Sequence, residues 1–331
     1  MAERADLDVV GIGNALVDVL SHADDKLVTR LGLVKGTMSL VDESRAREIY
    51  EATGPGVEIS GGSAANTIVG VASFGGRAQY IGKVSNDQLG EVFGHDLRST
   101  GVLYDTPPAD GGPATGRCLI LVTPDAQRTM GTFLGASVQL GSGDIDRRLI
   151  TSARIIYLEG YLFDPPAAQE AFRAAAGLAH AAGRRVALTL SDPFCVDRHR
   201  AAFLDLVEHH VDILFANEAE ICALYQVSDF DAALSRVVGH CEIAALTRSA
   251  KGSVLVGGGK THVIEALPVE SLVDTTGAGD LYAAGVLYGL SRGLDLAACG
   301  RLGSLAAAEV ISHVGARPMV PLSSLASSVI G

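Results

Sequence analysis

IIYLEGYLFDPPAAQEAFRAAAGLAHAAGRRVALTL (155–190) reads as one strand–helix–strand unit. IIYLEG and RVALTL are apolar runs of strand length, and residues 166–182 between them carry an alanine-rich helical pattern. The same alternation continues on both sides. LDVVGIG (7–13), QYIGKV (79–84), VDILFA (211–216) and EIAALT (242–247) read as further strands, with helices over 63–74, 87–99, 199–209, 218–225 and 229–239. This order predicts an α/β fold, a doubly wound and mostly parallel sheet with helices on both faces. Near the end, SVLVG and THVIEA flank Gly257-Gly258-Gly259-Lys260 and predict a hairpin, followed by helices over 278–292 and 295–313.

Two regions break the alternation. Residues 15–60 and 103–133 hold short pieces (VDVLSHA, GTMSLVD, RCLILVT, RTMGTF) separated by Gly, Pro and Asp. They predict antiparallel strands forming a discontinuous β-rich lid, set on a core made of 1–14, 61–102 and 134–331. Small covers at the carboxyl ends of parallel strands are where such folds bind ligands.

Composition narrows the function classes. The chain has 331 residues with 26 Lys and Arg against 38 Asp and Glu, a formal charge of −12. That lacks the basic footprint of nucleic-acid binding. Tryptophan is absent and aromatics are 5% of residues, which argues against base-stacking platforms. No apolar run approaches the ~18 residues of a membrane span, and the N-terminus shows no signal-peptide pattern, so a cytoplasmic protein is expected. Cys118, Cys195, Cys222, Cys241 and Cys299 are odd in number and lack CxxC spacing, which fits neither a disulfide framework nor a zinc site. The 39 glycines exceed the usual ~7% share and must mark turns, tight packing or ligand approach.

Two glycine motifs fail on context. GIGNAL (11–16) lacks the third glycine of a dinucleotide fingerprint, Leu16 standing in its place. GGGKT ends like a Walker loop, but Val254 occupies the first glycine position and THVIEA alternates like a strand where a helix is required. DTTGAGD (274–280) succeeds where they fail. Gly277, Ala278 and Gly279 lead into a helix, so their amides would form an anion hole, with Asp280 in the first turn. Such an aspartate can be a simple helix-dipole partner. It can also take the proton of an attacking hydroxyl while the amides stabilise a transferring phosphoryl group.

DTTGAGDLYAAGVL resembles the C-terminal signature of the ribokinase (PfkB) family of carbohydrate and nucleoside kinases, and the resemblance spans about residues 7–318. It implies a ribokinase-like fold, ATP and Mg²⁺, and Asp280 as catalytic base beside Gly277, Ala278 and Gly279. GGSAAN (61–66) resembles the family's glycine motif, which implies that Gly62, Ser63 and Asn66 hold the acceptor with Asn14 and Asp18. Asn217 and Glu220 of NEAE match the NxxE motif associated with Mg²⁺ and phosphate; without the signature they read as an N-cap and a dipole partner. Thr247 and Gly252 fit the nucleotide loop, and Arg128 is placed over the phosphates. Asp274 and Thr276 fall where some relatives bind a monovalent cation such as K⁺.

Within the family, GNALVD (13–18), PATGRC (113–118), LSDPF (190–194) and VDILFANEAE (211–220) resemble the adenosine kinase branch. Leu16, Cys118 and Phe194 would then form an apolar slot for a purine, with Met38 and Phe133 closing over it or packing within the lid. Asp192 and Ser39 depart from that branch. The implied function is transfer of the γ-phosphoryl of ATP to a primary hydroxyl, with the 5′-OH of adenosine the first reading and a free sugar such as ribose or fructose the alternative. The partner is a small nucleoside or sugar, not nucleic acid or membrane, and the chain a monomer or homodimer. A nicotinamide oxidoreductase and a non-catalytic nucleoside or sugar sensor are the rival classes.

Overall fold

The computed structural model describes residues 5–125 and 127–330. The chain opens with β1 (Leu7–Ile12) and, after Gly13, Asn14 and Ala15, crosses into a second sheet through β2 (Leu16–His22). There follow α1 (Asp25–Arg30), β3 (Met38–Leu40), α2 (Glu43–Ala52) and β4 (Gly56–Gly61). The chain returns to the core with α3 (Ser63–Ser73), β5 (Ala78–Ile81) and α4 (Gln88–Ser99), then completes the second sheet with β6 (Gly116–Val122) and β7 (Arg128–Phe133). The alternating half runs α5 (Arg147–Ser152), β8 (Ala153–Glu159), α6 (Pro166–Ala181), β9 (Arg185–Thr189), α7 (Pro193–His209), β10 (Ile213–Asn217), α8 (Glu218–Tyr225), α9 (Phe230–Val237) and β11 (Ile243–Thr247). The hairpin β12 (Ser253–Gly257) and β13 (Lys260–Ile264) precedes α10 (Ala278–Ser291), α11 (Leu296–Val310) and α12 (Leu322–Ile330).

The main sheet has eight strands in the order β13-β12-β11-β10-β9-β8-β1-β5, all running the same way except β12, which is antiparallel to both its neighbours; this is the doubly wound α/β architecture expected. Strand alternation sorts its side chains into two cores. On β1, Val9 joins the layer of α3, α10 and α11, whereas Val10 and Ile12 join that of α6 to α9. Burial on both faces explains why these strands read as continuous apolar runs.

The smaller sheet, β3-β7-β6-β2-β4, is mixed and not antiparallel, because β2 pairs with β6 and β3 with β7 in parallel. It also carries two helices. Asp24 and Asp42 cap α1 and α2 by accepting from the Leu27 and Arg45 amides, and Val28, Leu31, Ala46 and Ile49 pack under Val17, Val19, Leu119 and Leu121. Residues 103–109 run beside the core instead, with Leu103 and Ala109 bridging to Gln79 and Ser85. Helix α7 begins at Pro193, earlier than position 199: Asp192 caps it, and His199 (φ −122°, ψ 19°), bonded to Asp164 at 2.6 Å, marks a kink within it. No helix among the described residues is long and apolar enough to cross a membrane.

Helices α10 and α11 approach backbone to backbone at Gly285, where an added Cβ would meet the Leu302 carbonyl and the Gly303 amide at 2.5 Å. Gly285→Ala should therefore lower the unfolding free energy by about 1–3 kcal/mol, as overpacking does. Gly177→Ala on α6, where a Cβ meets nothing within 4 Å, should raise it by about 0.5–1 kcal/mol through helix propensity. Urea unfolding of both variants checks the contrast.

Candidate active site

The site is built on the carboxyl ends of the parallel strands. Glu159, at the end of β8, is fully buried and accepts three hydrogen bonds: from Asn14 N (3.1 Å), Asn14 Nδ2 (2.8 Å) and Ala64 N (2.7 Å). One carboxylate thus joins the exit of β1 to the first turn of α3. Burial pushes it up to about 7, against the pull of those three donors. Asn14 is itself 2% exposed, with its Oδ1 taken by Ser137 Oγ at 2.9 Å and its carbonyl by Tyr80 OH at 2.8 Å. Its amide is committed to the protein beneath the cleft.

GGSAAN turns directly into α3. Gly62 (φ 99°) lies where a side chain would be strained and would also overlap the Asn14 carbonyl. The turn brings Ser63 and Asn66 to Asp280 in the first turn of α10. Ser63 Oγ donates to Oδ1 at 2.6 Å and Asn66 Nδ2 to Oδ2 at 3.2 Å. Burial pushes Asp280 up to about 6, and the two donors oppose the rise. Gly277 caps α10 with φ 80° and packs against Ala316. Two of the three expected amides, those of Gly277 and Gly279, have no acceptor among the described residues; that of Ala278 donates to Thr275 O at 3.2 Å, closing the turn that enters the helix. Two free amides thus remain at the entry to α10, where the sequence predicted three.

The lid closes the site from the other side, and register decides which residues face it. Leu16, Asp18 and Leu20 share a face with Cys118 and Ile120, with Met130 and Thr132, with Met38 and Leu40, and with Ile59. Asp18 stands in this apolar surface, pushed up to about 6 by burial while the Arg317 and Arg128 charges hold it down and Asp280 adds to the rise. Cys118 bonds Thr132 (3.3 Å), and burial raises its thiol to about 12, so it is a wall and not a nucleophile. Met38 is 41% exposed on this face. Phe133 is not on it: it pairs with Arg117 on the opposite face and joins the core. Phe133 thus packs within the lid, the second of the two readings open to it, and Leu40 and Met130 stand on the site-facing side instead. Phe194 lies at the start of α7, 75% exposed and unwalled.

On the nucleotide side, Asn217 and Glu220 form a reciprocal capping box at α8, so the N-cap reading describes their contacts. Glu220 is buried and pushed up to about 7 by that burial, with Asp192 and Asp280 adding to it. The phenol of Tyr161, raised by burial, is faced by the same Asp192, Asp280 and Glu220 and by Glu159. No cluster of three metal-ligating side chains exists among the described residues. A divalent ion carried mainly by phosphates still fits, because these carboxylates repel one another and it would relieve that repulsion. Asp274 does not fit a cation: it already holds Arg128 (2.5 Å), Thr276 N (3.1 Å), Thr276 Oγ1 (2.7 Å) and Gly315 N (2.9 Å). Arg128 thus latches the lid to the segment before α10. Thr247 ends β11 beside Ser253, and Gly252 (φ 78°) completes the turn between β11 and β12.

Sequence reasoning missed Glu159, Tyr161 and Arg317. Glu159 carried a signal, a lone acid closing an apolar strand in IIYLEG.

Residues 28–322 match the model of the family described as pfkB family carbohydrate kinase. The adenosine kinase of Saccharomyces cerevisiae is 27% identical, the match covering 93% of this chain and 95% of that protein. The crystal structure of adenosine kinase from Sinorhizobium meliloti is 50% identical with a TM-score of 0.92, covering 98% of this chain and 99% of the other. That of a probable sugar kinase from Rhizobium etli CFN 42 is 47% identical, also at 0.92, covering 98% of both chains.

Asp18, Glu159 and Asp280 all bind their protons more tightly in the folded chain than their ordinary 3.8, 4.5 and 3.8 allow. Between about pH 4 and 7 the folded state therefore holds more protons than the unfolded one, and stability should fall as pH rises through that window. Each group contributes at most about 1.4 kcal/mol per pH unit. Urea unfolding from pH 5 to 8 should show this slope, and Asp280→Asn should make it shallower.

Proposed function

The chain belongs to the pfkB family of carbohydrate kinases, and on that premise we propose that it transfers the γ-phosphoryl of ATP to the 5′-hydroxyl of adenosine. It is a phosphotransferase with an alcohol group as acceptor. The observation that carries the reading is the grip of Ser63 and Asn66 on Asp280, beside the free amides of Gly277 and Gly279. A proton acceptor, an anion hole and an acceptor-binding helix meet at one point.

In this mechanism Asp280 takes the proton of the acceptor hydroxyl as its oxygen forms a bond to the γ-phosphorus and the bond to the β-phosphate oxygen breaks. Its raised proton affinity suits it to that task while leaving it ionised at neutral pH. Ser63 and Asn66 fix the carboxylate before the acceptor arrives. The amides of Gly277 and Gly279, already aligned, stabilise the charge on the phosphoryl group. Asp18 and Asn66 receive the ribose hydroxyls, and Asn14 supports them from below. Met38, Leu40 and Met130, with Leu16 and Cys118, offer the base an apolar surface for which a free sugar has no use. Thr247 and Gly252 border the nucleotide, and Arg128 holds the lid over the phosphates so that water is excluded. Glu220 and Asn217 are the residues that would hold Mg²⁺, through water, and bound with ATP the ion supplies charge neutralisation. No step is assigned to K⁺.

Asp280→Asn should lower kcat by roughly 10²–10⁴-fold with the KM for adenosine changed only about threefold or less. An ATP-consumption screen across adenosine, other nucleosides, ribose and fructose tests the acceptor. Adenosine should give the highest kcat/KM; turnover of ribose or fructose with adenosine untouched would overturn the nucleoside reading.

A further inference from the structure

Arg317 lies in the loop after α11, and the loop is built to hold it. Glu309 Oε1 accepts from the Met319 and Val320 amides (2.9 and 3.3 Å), and Asp274 accepts from that of Gly315 (2.9 Å). The side chain reaches under the lid. Its Nη1 donates to Asp96 Oδ2 on α4 at 3.1 Å, and its Nε donates to Asn66 Oδ1 at 3.3 Å. The same Asp96 oxygen accepts Ser60 N and Ser60 Oγ from the lid strand β4, at 2.8 and 2.5 Å. Arg317 Nη2 is buried with no hydrogen-bond partner among the described residues.

These contacts form one chain: Ser60 on the lid, Asp96, Arg317, Asn66 and Asp280. An asparagine amide can turn either end toward a neighbour. With Arg317 donating to Oδ1, only the NH₂ end is left for Asp280. A buried guanidinium is uniquely suited to this, since its planar fork serves two acceptors in fixed directions. We propose that Arg317 is a positioning residue of the acceptor site: it sets the Asn66 amide toward Asp280 and, through Asp96, ties lid strand β4 to the same point.

The proposal rests on the kinase reading but not on which acceptor is used. Its charge also reaches the site. Asp18 is faced by Arg317, by Arg128 of β7, by Cys118 of β6 and by Asp280 of α10. Asp280 is faced by Asp18, by Glu159 and Tyr157 of β8, by Tyr161 and by Glu220 of α8. Removing the Arg317 cation takes away the largest attraction that keeps Asp18 ionised.

The test compares Arg317→Met, Arg317→Lys and Asp96→Asn by steady-state kinetics with ATP and the best acceptor of the wild-type enzyme, each variant being checked for native unfolding. Arg317→Met should raise the acceptor KM roughly tenfold or more while the ATP KM stays within about twofold, and should move the acid limb of kcat/KM to higher pH. Arg317→Lys keeps the charge and should restore the acid limb but not the acceptor KM. Asp96→Asn, which frees the guanidinium and spares the residue, should raise the acceptor KM in the same direction. Acceptor and ATP KM values that rise together, or an acceptor KM within about twofold of wild type in a folded Arg317→Met, would overturn the proposal. A wild-type enzyme that prefers a sugar would instead sink the nucleoside reading and leave this test intact.

Discussion

The site depends on one buried carboxylate bonded to three amide nitrogens. Glu159 takes two donors from Asn14 and one from Ala64, so the exit of β1, the end of β8 and the start of α3 are set relative to one another by a single group. Everything nearer the ligand is placed from there. Helix α3 can present Ser63 and Asn66 to α10 only because its first turn is anchored, and β2 can leave for the lid only because the chain at Asn14 is held. Buried ions are costly unless fully hydrogen-bonded. Here the donors are the backbone and amide groups that the crossing between two sheets leaves unpaired, so each side satisfies the other.

The electrostatics follow from the same economy of charge. Acidic groups, not basic ones, crowd the carboxyl ends of the strands: Glu159, Glu220, Asp280 and, from the lid, Asp18. The two arginines that reach the area already have protein partners, Arg128 in Asp274 and Arg317 in Asp96 and Asn66. A polyanionic ligand would find few free side-chain cations. It would find helix-terminal amides whose direction is fixed by the fold, which explains how a chain of net charge −12 can belong to a family that handles phosphate.

Most of the main sheet was legible because its parallel strands are buried on both faces and stand out as apolar runs. Asp280 was legible because its role needs small residues in sequence just before a helix, a local pattern. Register was not local. Phe133 and Met130 both look suited to a cleft, and only the pairing of β7 with β6 decides that Met130 faces it and Phe133 does not. The amide of Ala278 closes a turn with Thr275, a contact that composition cannot reveal. Helices α1 and α2 were hidden by brevity and polar composition, although Asp24 and Asp42 mark their starts. Arg317 was invisible for a different reason: it acts on Asn66, some 250 positions away in the chain.

The lid is woven from two distant stretches, since β2 lies between β4, from the same stretch of sequence, and β6, from beyond α4. Its central parallel pair, β2 with β6, therefore closes a loop of chain that contains α3, β5 and α4. Asp274, which latches Arg128, and then Asp280 and Arg317, which touch Asn66, are all synthesised after both stretches of the lid. A chain shortened before α10 would therefore carry every strand of the cover and lack the carboxylate of Asp280 that the cover faces.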